Sequence, residues 1–437
     1  MKKSFEPEQT LHRTLSTYKS LTSPTTDPKP PISDDEFVPA CQFVTQLVAR
    51  ANQYGSSFLR LQDFMSQLPH LFGFHGVMLV AAPFVFFEFW RQADAQPSRV
   101  TVRPAEGSLD LSKLTELGIL VNDLADGKVP IDDGMSRLEQ IDSLPRPYKS
   151  QIVALGYALC GAGFAVLLSA NWLDVFFAAL LSLVVYAVTL KAERTQWLAN
   201  QLNFTAALIA SILANLLALL FPGSNAFIVS LCAVVVLVPG LSLTLGVAEL
   251  ASKIVILGVS RLVDGALITF ALVVGSAVGS AVVEALWTMS SAPVTASSRP
   301  LWLTFVAVIP LMLGLAFVFQ VRLPDLGWVI LAGSFAYLGV IIGGQLGNWQ
   351  GSFLGALILG VYTSLFSFRL RRPASVVMLP GIMILVPGVA AYFGLNSLQT
   401  TGIIGALPAV WGVIVQITAI IGGLYVAASL LPQKASL

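Results

Sequence analysis

The sequence predicts an α-helical polytopic membrane protein. About ten transmembrane helices form a 5+5 inverted repeat, preceded by a small α+β cytoplasmic domain. Three observations lead there: a composition far too apolar for a soluble chain, a series of apolar runs each long enough to cross a bilayer, and two Pro-Gly interruptions at matching places in two of those runs. The chain is 55% hydrophobic and only 11% charged, against about 25% charged for an average soluble domain. The formal net charge of +1 gives no bulk electrostatic case for nucleic acid as a partner. The three cysteines, Cys41, Cys160 and Cys232, are odd in number and far apart, so they read as small packed residues with no disulfide framework or metal spacing.

The start, Met1-Lys2-Lys3-Ser4-Phe5-Glu6, leads into no apolar core, which predicts no cleavable signal peptide. Residues 1–36 are rich in Ser, Thr, Pro and charge, cannot bury a core, and are expected to be a disordered tail. Residues 37–148 have the pattern of a small cytoplasmic α+β domain. Phe43, Leu47, Ala51 and Tyr54 recur at helical spacing and stop at Gly55. Ser56 and Ser57 are placed to cap a second helix carrying Leu59, Phe64 and Leu68. The run from Gly76 to Trp90 is too short for a span; its aromatic and β-branched residues around Pro83 suit two strands. Val100-Thr101-Val102-Arg103 reads as a third strand, and Leu111 to Ala125 and Ile131 to Ile141 as amphipathic helices.

Ten apolar runs follow, near 151–169, 172–190, 203–221, 225–246, 264–286, 301–320, 326–344, 351–367, 374–393 and 404–431. With the N-terminal domain in the cytoplasm, the inner loops and tail hold Lys191, Arg194, Lys253, Arg261, Arg322, Arg369, Arg371, Arg372 and Lys434, and the outer loops hold only Arg299. Positively charged loops stay on the cytoplasmic side. The expected location is therefore the cell (inner) membrane, multi-pass, with both termini cytoplasmic. The polar stretch around Arg299 divides the spans into halves at 149–289 and 300–437. Five crossings per half send the second half into the membrane from the opposite side, which is the geometry of an inverted repeat.

Leu237-Val238-Pro239-Gly240 interrupts the fourth span, and Leu385-Val386-Pro387-Gly388 the ninth, with Pro380-Gly381 one step upstream. Proline removes a backbone donor and clashes with the preceding turn, and glycine loosens the helix further. Backbone groups freed at membrane depth are tolerated only if buried in protein or facing a water-filled cavity. Broken helices at corresponding places of two halves point to a transport site. One break alone would shape packing; the matched pair makes Pro239, Gly240, Pro380, Gly381, Pro387 and Gly388 candidate substrate-binding positions, with Ser242 and Thr244 beside the first. Candidate proton-coupling acids are Glu249, Asp174, Asp264 and Glu284, since intramembrane acids are costly and serve proton relays. Each has a plainer reading. Glu249 and Lys253 stand at i and i+4 and suit a solvated surface pair. Asp174, near Asn171 and Trp172, suits an interfacial cap. Glu284, near the outer end of its span, suits a water-facing acid. The GxxxG at Gly275–Gly279 and the glycines at 343, 347, 351 and 355 read as close helix packing. His70 and His75 lack the companions a metal site needs, and no Walker loop or nucleophile elbow is present, so no cofactor, no metal and no enzyme activity are expected.

Tyr54-Gly55 with Arg60, the stretch from Asp123 to Ile141 before Tyr148, Asn171-Trp172-Leu173-Asp174, Leu237 to Gly240 with Glu249, and Leu379-Pro380-Gly381 through Gly388 occur in an order that resembles the threonine/serine exporter family. The resemblance covers about Phe37 to Leu431. It departs at Ser56-Ser57-Phe58-Leu59, where the family has small residues after Tyr-Gly. It implies a cytoplasmic N-terminal domain, ten spans, and export of small amino acids driven by the proton gradient. The partners expected are thus a small amino-acid substrate, protons and the lipid bilayer; a homo-oligomer is left open. Export of a small dicarboxylate such as succinate, as in relatives whose halves are separate proteins, is the alternative on the same fold. A membrane-anchored enzyme, a passive channel and a scaffold are alternatives of other classes.

Overall fold

The computed structural model describes residues 33–81, 84–91, 98–102, 109–287, 300–385 and 387–431. The tail up to residue 32, Pro83, Arg103, the stretch around Arg299, Val386 and Lys434 lie outside the described residues.

The N-terminal domain is α+β. Helix α1 (Asp34–Tyr54) starts inside the stretch expected to be tail. Its acidic first turn suits a helix N-terminus, and Phe37 is already buried. It ends where Gly55 takes a left-handed conformation (φ 119°), which glycine adopts at no steric cost. Helix α2 (Phe58–Leu71) precedes an antiparallel sheet of β1 (His75–Ala81), β2 (Phe84–Trp90) and β3 (Ser98–Val102) in that order. The register sets Leu79 opposite Phe86 and Phe87 opposite Val100. One sheet face, with Met78, Val85, Phe87 and Phe89, joins the core with Phe43, Leu47 and Leu61. Helices α3 (Leu111–Ala125) and α4 (Ile131–Ser143) complete the domain. Asp110 caps α3 by accepting from the Lys113 amide at 3.1 Å.

The membrane part is helical throughout. Its first half contains α5 (Ser150–Leu167), α6 (Trp172–Ala192), a short α7 (Gln196–Asn200), α8 (Leu202–Leu220), α9 (Ala226–Ala233), α10 (Gly240–Ala251) and α11 (Val255–Leu286). The second contains α12 (Leu301–Val318), α13 (Leu326–Gly344), α14 (Asn348–Leu370), α15 (Ser375–Met383) and α16 (Pro387–Leu430), the last bent at Gly402 (φ 70°). Among the described residues nine helical stretches are long and apolar enough to span a bilayer; Ala226–Ala233 and Val235–Ala251, bent by 52° from each other, make a tenth. The protein is therefore a multi-pass membrane protein.

Packing in the second half repeats that in the first. Helix α5 packs on α6, α6 on α8 and α9, and α8 on α11; correspondingly α12 packs on α13, α13 on α14 and α15, and α14 on the later part of α16. The halves meet along α5 and α12, where a Cβ at Gly314 would stand 2.7 Å from the Gly156 carbonyl. The GxxxG glycines behave as expected: Gly275 and Gly279 bring α11 against Phe204 and Leu208 of α8. The glycines from 343 to 355 do not share one face. Gly347 (φ 148°) turns the chain, so Gly343 meets Gly351, and Gly339 meets Gly355, across two antiparallel helices.

The N-terminal domain sits on one end of the bundle, on the loops that carry Arg322, Arg371 and Arg372. The Leu111 amide donates to Phe319 O at 3.0 Å, the Tyr148 amide to Gln320 Oε1 at 3.2 Å, and Asn122 Nδ2 to Arg371 O at 2.7 Å. Arg322 pairs with Glu116 at 3.0 Å and Arg371 with Asp126 at 3.2 Å. A hydrogen bond from Lys128, and then the charge of Arg371, hold the Asp126 carboxyl below the usual carboxylate range.

Candidate functional site

The first break is an abrupt change of direction. Helix α9 gives way to a 3-10 turn (Val235–Leu237), and Val238 is extended. Pro239 (φ −81°, ψ 45°) then centres a three-residue turn in which the Gly240 amide donates to Val238 O at 2.8 Å. Helix α10 starts at Gly240. The second break has two steps. Pro380 lies within α15, where Gly381 packs on Leu359; the chain then turns at Ile384 and Leu385, and α16 starts at Pro387. The carbonyl of Leu385 accepts from Gln416 Nε2 at 2.9 Å, so the later part of α16 satisfies a group that the break frees.

The two breaks touch. A Cβ at Gly388 would stand 2.6 Å from Val238 Cγ1 and 2.9 Å from both N and Cα of Gly240. Only glycine at 388 permits this approach. The first turns of α10 and α16 thus converge, and free amides at helix N-termini attract carboxylates. In this conformation the ends pack directly on each other.

The other candidates fall into three groups. Thr244 is buried and its hydroxyl donates to Gly240 O at 2.9 Å, inside its own helix; Ser242 is half-buried in the first turn of α10. Glu249 is fully buried and its Oε2 lies 3.0 Å from Arg261 Nε of α11. The i, i+4 pair with Lys253 does not form: α10 ends at Ala251, and Lys253 takes a left-handed conformation (φ 65°) and is exposed. Asp174 serves as a tie. It accepts from Ser224 Oγ at 2.7 Å and from the Asn225 amide at 2.9 Å, fixing the loop that leads into α9. Asp264 and Glu284 stand apart, exposed on α11.

Asp325 plays the part of Asp174 in the second half. Both are buried carboxylates at the start of the second span of their half. Asp174 holds the loop before α9, and Asp325 holds Arg372 in the loop before α15. Sequence reading overlooked Asp325, because its partner is 47 positions away and no local spacing links them. It also passed over a polar seam between α8 and α11. There Ser211 Oγ donates to Ser276 O at 2.7 Å, and Asn215 Nδ2 reaches Ser280 Oγ at 3.1 Å. Tyr392 of α16, fully buried, faces Ser276 and packs its ring near Phe227 of α9. The signal was available: Asn215 is an amide in the middle of an apolar run, and such groups form interhelical hydrogen bonds. Arg60 extends the N-terminal domain to the second broken helix, with Nη2 2.9 Å from Met378 Sδ.

A repeated bundle whose two broken helices meet in its buried interior defines a class, the multi-pass membrane proteins built around discontinuous spans. Comparison with known proteins makes this specific. A family model for threonine/serine exporters matches residues 43–283, and a second, Threonine/Serine exporter, ThrE, matches residues 303–430. The chain belongs to the threonine/serine exporter family. It is 25% identical over 338 residues to a Mycobacterium tuberculosis protein, covering 72% of this chain and 62% of that one. It is 27% identical over 314 residues to the threonine/serine exporter of Corynebacterium glutamicum, covering 68% and 63%. A fungal protein, pheromone-regulated membrane protein 10 of Eremothecium gossypii, is 22% identical over 361 residues, covering 80% of this chain and 48% of its own length. The chain thus spans less than two thirds of these relatives. No solved structure shows a significant match.

Proposed function

We propose that the protein exports threonine, serine or a chemically similar small amino acid across the membrane, driven by the proton gradient, and that it is not an enzyme. The observation that carries this reading is the contact of Gly240 with Gly388, which brings the N-terminal ends of two half-helices together between repeated halves. An amino-acid carboxylate suits those ends, and separation of the two half-helices would open a site between them. Transport then proceeds by rocking of one half against the other, with the crossing accessible to one side at a time.

Glu249 is the group assigned to the proton. A fully buried carboxylate facing one guanidinium is held between two costly states, and taking up a proton releases Arg261. Asp174 is better read as a tie, and Asp264 and Glu284 as surface acids. Docking of the N-terminal domain on the loops of Arg322, Arg371 and Arg372 supports a cytoplasmic location for that domain, because loops of this charge remain inside. The test is efflux of preloaded labelled threonine from cells, with succinate in parallel and with and without an uncoupler. Threonine efflux that depends on the protein and falls with the uncoupler is expected; efflux of succinate alone, or threonine efflux indifferent to both deletion and uncoupler, would overturn the reading.

A further inference from the structure

Strands β1 and β2 of the N-terminal domain carry apolar residues on both faces of the sheet. Met78, Val85, Phe87 and Phe89 fill the core on one side. On the other, Val77 and Leu79 of β1 and Phe84 and Phe86 of β2 are exposed, Leu79 to 67%. The register brings Leu79 against Phe86, so these residues form one patch. It ends at the ion pair of Glu88 with Arg99, 3.1 Å apart. An antiparallel sheet that faces water on one side carries polar residues there. A contiguous apolar patch marks a surface that something else covers.

The neighbour of β1 says what covers it. Strand β1 packs against α11, and α11 is too long for a bilayer. Its 32 residues extend about 48 Å, whereas the hydrocarbon layer is about 30 Å thick. Arg261 and Asp264 mark where the apolar layer starts, since charged side chains settle at its boundary. The turns before them, at the end next to the sheet, carry Val255, Ile256 and Val259, all exposed and apolar. Val263, between the charges, and Leu267 and Phe270, beyond them, are also exposed and apolar along α11. The strand therefore adjoins a helix that exposes apolar residues both in its overhang and farther along, on either side of Asp264.

We infer that the outer face of the sheet rests in the lipid interface. Val77, Leu79, Phe84 and Phe86 enter the boundary between headgroups and acyl chains beside Val255, Ile256 and Val259. The ion pair of Glu88 and Arg99 stays at headgroup level. The occupant is the bilayer surface itself, reached by continuity with the membrane-facing side of α11. This holds whatever the transported substrate is.

The test uses the full-length protein in nanodiscs of phosphatidylcholine and phosphatidylglycerol, with Leu79→Cys carrying an environment-sensitive fluorophore. The native Cys41, Cys160 and Cys232 are buried and leave the label site-specific. A probe at Glu139→Cys, exposed on α4, is the control. The expected result is blue-shifted emission at position 79 that falls at least twofold when the lipid acyl chains are brominated, with no change at 139. Adding Phe86→Lys should abolish the quenching while the protein remains folded and reconstituted. Water-like emission at 79, unaffected by bromination, would overturn the proposal. So would a buried signal indifferent to brominated lipid but quenched by a second labelled copy, which would make the patch a protein interface.

Discussion

Gly240 and Gly388 stand against each other, buried inside the bundle, one opening α10 and the other in the first turn of α16. A methyl group on Gly388 would come within 2.9 Å of Gly240 N and Cα. Carbon atoms do not tolerate that distance, and the obstruction is backbone, which cannot rotate away. Gly388→Ala should therefore push the half-helices apart, costing about 1–3 kcal/mol of stability, as overpacking does. Thermal unfolding in detergent measures that cost. Threonine efflux should fall at least tenfold, and Gly388→Ala paired with Val238→Ala should recover part of the stability because one of the two clashes is removed.

Pro239 and Pro387 should matter for transport more than for insertion. Replacing Pro239 with Ala restores a backbone donor and removes the ring that fixes the three-residue turn at Val238–Gly240, letting helix run through into α10. Pro239→Ala and Pro387→Ala should each lower efflux at unchanged amounts of protein in the membrane, as measured by immunoblot alongside transport. Normal efflux from both would reduce the breaks to packing features.

Much of this arrangement was legible in the sequence because its causes are local. Long apolar runs, the charge of the loops and the Pro-Gly pairs act through neighbouring residues, so the spans and both breaks could be placed from spacing alone. Gly55 likewise marked the end of α1. Partners distant in the chain could not be placed. Glu249 pointed to Lys253 by helical spacing, but α10 stops at Ala251, so the helix that would align them is absent and Arg261 takes the place. Asp325 and Arg372 are joined only by the fold, as are Gln416 and the Leu385 carbonyl. The contact between the two breaks depends on how the halves pack, and no spacing along the chain reveals it.

The Glu249–Arg261 pair gives two separable expectations. Arg261→Ala leaves a fully buried carboxylate without its partner, which costs about 3 kcal/mol or more. Glu249→Gln removes the buried charge and should cost less, leaving a protein that folds but does not couple to protons. Efflux measured from pH 6 to 8 should then lose its pH dependence in Glu249→Gln, while Glu249→Asp retains it. Unchanged pH dependence in Glu249→Gln would move proton coupling elsewhere.

Asp174 and Asp325 should prove equivalent in the two halves. Asp174→Ala takes two hydrogen bonds from the Ser224 and Asn225 loop, and Asp174→Asn keeps an oxygen that can accept one of them. At about 1 kcal/mol or more for each hydrogen bond to a charged group, Asn should be the milder change. Asp325→Ala strands Arg372 at the start of the loop into α15, and Arg372→Ala strands a buried carboxylate that has little other satisfaction. Either single change should lower the midpoint of thermal unfolding more than both together, because the double variant leaves no uncompensated buried charge. A double-mutant cycle at 325 and 372 measures this coupling directly, and an additive result would mean that the pair does not hold the second broken helix.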